Sequence, residues 1–86
     1  MIFMRGILLT CRSATYAQHM KRILELNRIS SSIVKPDIEL TRGSCAYAVK
    51  ISQGFLPEAI EILRENHMPP IRVILAENNG YKEIFI

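Results

Sequence analysis

Apolar positions along the chain change period several times, and each change marks an element. Over residues 4–12, Ile7, Leu9 and Cys11 alternate with Leu8 and Thr10, and both sets are mostly apolar. A strand that is apolar on both sides belongs at the centre of a sheet. The period then becomes helical. Ala17, Met20, Ile23 and Leu24 recur on one side with Tyr16, while Gln18, Lys21, Arg22 and Glu25 fall on the wetter side. This predicts an amphipathic helix over residues 14–27, capped by Ser13 and ended by Asn27 in the left-handed conformation. Residues 30–35 read as a second, more polar strand at a sheet edge, closed by Pro36. After a loop over 37–44, residues 45–51 read as a third strand. Tyr47, Val49 and Ile51 lie on one side of it, and the small Ala46 and Ala48 on the other. A second helix starts at Pro57 and Glu58, with Phe55 and Ile60 spaced as a hydrophobic staple. Leu56, Ala59, Ile60, Leu63 and His67 form its inward stripe, and Pro69-Pro70 ends it. Residues 71–76 and 81–86 read as strands four and five around an Asn78-Asn79-Gly80 turn.

Strand, helix, strand, strand, helix, strand, with one strand added, predicts a single domain over residues 1–86. Right-handed crossovers with the third strand beside the first give a ferredoxin-like βαββαβ α+β sandwich, an antiparallel sheet with two helices on one face. The first and third strands are then antiparallel neighbours. Cys11 ends one and Cys45 begins the other, so residues far apart in sequence are expected to meet at one edge. The face without helices needs shielding by side chains or by a partner. With the apolar terminal strand as a free edge, this leads to the expectation of a homodimer.

Composition narrows the function classes. Hydrophobic residues make up 49% of the chain, which supports a packed core. Eleven basic and eight acidic residues leave a net charge of +3, without the basic block of a nucleic-acid arm. Single-stranded RNA readers on this fold stack bases on aromatic residues of the central strands. Strand one has only Phe3 at its start and strand three only Tyr47, so nucleic acid is a poor fit. The start MIFMRGILL lacks the layout of a secretory signal, and no apolar run is long enough to span a membrane. Together with two cysteines, this reads as a reduced, cytoplasmic protein. The spacings of Cys11, Cys45, His19 and His67 match no zinc pattern, and neither a metal nor a cofactor is implied.

The candidate chemistry gathers at the expected edge. Thr41-Arg42-Gly43-Ser44-Cys45 leaves a loop just before an apolar strand, which favours access to the Cys45 sulfur. The first amides of helix one point to the same edge, and Arg12, Ser13 and Arg42 are expected there as groups that stabilise an anion or thiolate, with Lys35 close by. Against this stands the common fate of a free cysteine, which is to pack, and Cys11 sits among core positions. His19 and His67 have no evident acid or base partner. Ser30, Ser31 and Ser32 suit an edge strand better than a nucleophile. No catalytic triad, paired acid motif or phosphate loop can be read, so the residues leave open whether the protein is an enzyme.

The segment Cys11-Arg12-Ser13-Ala14-Thr15-Tyr16-Ala17, the helix end Asn27-Arg28-Ile29 and the run PDIELTRGSCAYAVKI resemble the selenium/sulfur carrier protein-like family, a small bacterial domain. Where that family has glycine after its cysteine, this chain has Ala46. The resemblance implies a thiol-based carrier or redox-exchange protein. Cys45 would hold sulfur or selenium, Cys11 would be a resolving thiol, and a protein donor or acceptor of sulfur or selenium would be the partner. A non-catalytic ligand- or protein-binding module is the alternative.

Overall fold

All six residues of β1 (Gly6–Cys11) are buried, as expected of a strand apolar on both sides. The computed structural model describes residues 6–36, 47–77 and 80–84. In it β1 is followed by α1 (Ala14–Leu26), β2 (Ser31–Val34), β3 (Tyr47–Ile51), a 3-10 turn (Gln53–Phe55), α2 (Leu56–Glu65), β4 (Val73–Glu77) and β5 (Gly80–Ile84). The strands form one antiparallel sheet in the order β2-β3-β1-β4-β5. This is an α+β fold with β1 in the middle, flanked by β3 and β4. The pairing of β1 with β3 sets Ile7 opposite Ile51, Leu9 opposite Val49 and Cys11 opposite Tyr47.

Alternation along these strands divides the core. Ile7, Leu9, Cys11, Val49, Ile51 and Val73 share one cluster with Ala17, Met20 and Leu24 of α1 and Ala59 and Leu63 of α2. Both helices therefore cover the same face of the sheet. Leu8, Ala48 and Ile74 form a second cluster on the other face, with Val34 packed against it. Leu8 and Ala48 are 0% exposed and Ile74 only 2%. Of the two ways of shielding this face, the structure shows its cluster already out of solvent in a single chain. The argument for a homodimer loses that basis. At the outer edge, Tyr81, Lys82 and Glu83 of β5 are all exposed.

Helix boundaries differ from the sequence expectation for local reasons. Asn27 has an ordinary φ of −100°, and it is Arg28 that takes the left-handed conformation, at φ 65°. α2 ends at Glu65, well before Pro69-Pro70, and His67 stands beyond the helix at φ 58°. His67 is exposed, not part of the inward stripe. Phe55 is itself the N-cap of α2 and is 37% exposed, whereas a hydrophobic staple uses the residue before the cap.

Candidate functional site

The end of β1 and the start of α1 are separated only by Arg12 and Ser13. Ser13 makes so sharp a turn possible. Its backbone is extended, and its Oγ accepts the Tyr16 backbone N–H at 3.1 Å, satisfying one of the helix's unpaired first-turn donors. The first turn of α1 is therefore held over the end of β1, and Tyr16 is carried back across it. The Tyr16 hydroxyl donates to the Pro69 carbonyl at 2.8 Å, tying α1 to the segment before β4.

That segment is also fixed from below. The Ile71 N–H donates to the Thr10 carbonyl at 2.9 Å, and the Arg72 N–H donates to the Thr10 Oγ1 at 2.8 Å. Between these walls lies a pocket of ≈ 150 Å³ lined by Cys11, Arg12, Ser13, Tyr16, Pro69 and Ile71. Three residues singled out from sequence, Cys11, Arg12 and Ser13, are brought together here.

Cys11 is 1% exposed and belongs to the main core cluster. Its Sγ donates to the Tyr47 carbonyl at 3.5 Å. Burial raises the Tyr16 phenol above its usual pKa of 10.0, and the negative charge of an ionised Cys11 raises it further. The two groups thus sense each other electrostatically. Arg12 is exposed and takes part in no ion pair among the described residues. Lys35, just past the end of β2, holds its ammonium 5.6 Å from the centre of the Tyr47 ring, so it too is at this edge. Cys45 and Arg42 lie outside the described residues. His19 is exposed on α1.

Tyr16, Pro69 and Ile71 complete the pocket and were not singled out from sequence. Tyr16 is read there only as part of the apolar stripe. The signal for its second role is its place three residues after the capping serine, which puts its hydroxyl back over the strand end. Nothing local in the sequence points to Pro69 and Ile71, because their place depends on β4 pairing with β1. Chemically the arrangement offers a sulfur, a guanidinium, a phenol and the open end of a helix around a volume suited to a few heavy atoms. No family model, no curated protein and no solved structure matches this chain.

Proposed function

We propose that this is a ferredoxin-like module, extended by β5, that handles sulfur or selenium through a thiol at the Cys11 edge. The observation that carries the reading is the β1–β3 register. It sets Cys11 opposite Tyr47, and Cys45 precedes Tyr47 by two positions in the chain. Arg12, the capped start of α1 and Lys35 give that edge a positive character suited to a thiolate. In the transfer step the Cys45 sulfur attacks the terminal sulfur of a donor protein's persulfide. A new S–S bond forms, the donor's own S–S bond breaks, and the donor leaves as a thiolate. The step needs no outside oxidant or reductant. Cys11, shut in the core, is reached as a resolving thiol only when this edge opens. Intact-mass spectrometry of the protein from cells, with and without reductant, tests the reading. A reducible increment of one sulfur or selenium should be present in wild type and Cys11→Ser and absent in Cys45→Ser. An unmodified mass after incubation with a persulfide donor would sink it.

A second reading is a non-catalytic ligand- or protein-binding module. It is favoured by the burial of Cys11 and its hydrogen bond to Tyr47, which are the marks of a packed thiol. Under this reading, blocking both thiols leaves partner or ligand binding intact.

A further inference from the structure

The buried residues of α2 are Ala59 and Leu63. Ile60 and Arg64 each follow one of these, so they share the neighbouring flank of the helix, one turn apart. That flank looks towards β4 and β5 across a cavity of ≈ 280 Å³. Val73 and Ile84, paired across the two strands on the helix-covered face, form its floor. Ile60 is one side wall, and Pro69-Pro70-Ile71 is the other. The cavity shares Pro69 and Ile71 with the Cys11 pocket but none of its polar side chains.

Register decides which charges face this cavity. Glu83 is paired with Ile74, which belongs to the cluster on the far face, so alternation turns the Glu83 carboxylate away. Arg72 alternates with Val73 in the same way. Arg64 is thus the charged lining side chain on the cavity's own face. Lys82, opposite Leu75 and two residues before Ile84, adds a second cation to that face. Glu61 and Glu65 stand beside Arg64 in a separate cleft on the outer surface of α2, yet Arg64 is in no ion pair among the described residues. The opposite wall offers no competing donor. Pro69 and Pro70 have no N–H, and the Ile71 N–H is spent on the Thr10 carbonyl. The Ile71 side chain is 45% exposed, an apolar wall left in water.

We propose that this cavity binds a small carboxylate with an apolar body, an aliphatic or aryl acid. The carboxylate pairs with the Arg64 guanidinium, and the body covers Val73, Ile84 and Ile71. The two prolines fix the far wall before the ligand arrives, so little ordering is lost on binding. The site goes beyond the sulfur reading and stands whether or not sulfur is carried.

The test is a titration followed by methyl and amide chemical shifts, with phenylacetate, phenylacetamide and acetate in separate arms at equal ionic strength. Phenylacetate should give saturable shifts at Ile60, Ile71, Val73 and Ile84, with a Kd of about 1 mM or below. Phenylacetamide keeps the body without the charge, and acetate keeps the charge without the body. Each should bind about tenfold more weakly or worse. Arg64→Gln should weaken phenylacetate about tenfold and leave phenylacetamide unchanged, and Arg64→Lys should recover part of the loss. Ile71→Ala, at a half-exposed position, should weaken both by about threefold or more. Absence of saturable shifts with phenylacetate overturns the site. So does acetate or phenylacetamide binding as tightly as phenylacetate, an unchanged affinity in Arg64→Gln, or a response confined to Cys11 and the first turn of α1.

Discussion

Thr10 and Arg72 exchange three hydrogen bonds. The Thr10 N–H donates to the Arg72 carbonyl at 3.0 Å, the Thr10 hydroxyl donates to the same oxygen at 3.2 Å, and the Arg72 N–H donates to Thr10 Oγ1 at 2.8 Å. Thr10 is 0% exposed, and it faces away from the helices, where an apolar residue would ordinarily suffice. Its hydroxyl extends the β1–β4 ladder past the pair Leu9–Val73, and so positions Ile71 as a pocket wall. Thr10→Val keeps the shape and leaves the Arg72 N–H without that acceptor. We expect a loss of about 1–3 kcal/mol, the cost of orphaning a buried donor. Urea denaturation measures it, and Thr10→Ser should recover most of the hydrogen-bonding part.

Tyr16 offers a pH-dependent test of the pocket. Removing its hydroxyl in Tyr16→Phe breaks the bond to Pro69, which is solvent-accessible and therefore worth only about 0.5–1 kcal/mol at neutral pH. The phenol is raised above 10.0, first by burial and then by Cys11. Because the folded-state value lies above the unfolded one, this contribution is complete below pH 10.0 and is lost as pH rises through the folded value. Wild type should accordingly lose more stability on going to alkaline pH than Tyr16→Phe does. Alkaline spectrophotometric titration of Cys11→Ala should show the Tyr16 phenol ionising at lower pH than in wild type. An unshifted titration would mean that the sulfur exerts no charge on it.

The strands and helices were legible because each carried its own period. β1 read as central from its unbroken apolar run, and Ser13 read as a cap from its place before the stripe of α1. Both depend on residues within one turn or one strand. The pairing of β1 with β3 followed from connection rules and is present in the register. The helix ends were misplaced by a local competition that hydrophobic period does not report. Asn27 and Asn66 each donate their side-chain Nδ2 to the carbonyl four residues back, at 2.8 Å in both cases. An asparagine so engaged closes the helix at an ordinary φ and passes the left-handed position to the next residue. The pocket was half legible. Cys11, Arg12 and Ser13 are consecutive, whereas Pro69 and Ile71 reach it only through β4.

Both helices close with the same backbone motif. Ile29 N–H returns to Leu24 O at 2.9 Å and Arg28 N–H to Glu25 O at 3.0 Å, while Met68 N–H returns to Leu63 O at 2.8 Å and His67 N–H to Arg64 O at 3.2 Å. This is the Schellman arrangement, whose left-handed position favours glycine. Here it holds Arg28 and His67, each with a Cβ in a disfavoured conformation. Arg28→Gly and His67→Gly should each raise stability by about 0.5–1 kcal/mol, as the relief of left-handed strain outweighs the entropy glycine adds to the unfolded chain. Thermal denaturation of the two single variants and the double variant checks this. The two sites lie on separate helix ends and should add.

Glycine plays the opposite part at the start of β1. Gly6 has φ +132°, and a Cβ there would lie 2.6 Å from the backbone oxygen of Ile51. The obstruction is main chain within the central β1–β3 pair, so no side-chain rotation relieves it. Gly80 shares nearly the same conformation, at φ +130°, but a Cβ there meets nothing within 4 Å. Gly54 has open space and no unusual φ. Alanine at these three positions therefore separates backbone strain from collision. Gly80→Ala carries only the conformational penalty, about 1–3 kcal/mol. Gly6→Ala carries that penalty plus the displacement of β3 at Ile51, so it should be the most destabilising of the three. Gly54→Ala should fall within about 0.5 kcal/mol of wild type, like other open surface substitutions. Chemical denaturation of the three variants decides the order. A Gly6→Ala protein as stable as Gly80→Ala would mean that β3 can yield at Ile51 without cost, and the register that places Tyr47 opposite Cys11 would not be rigidly held from this end.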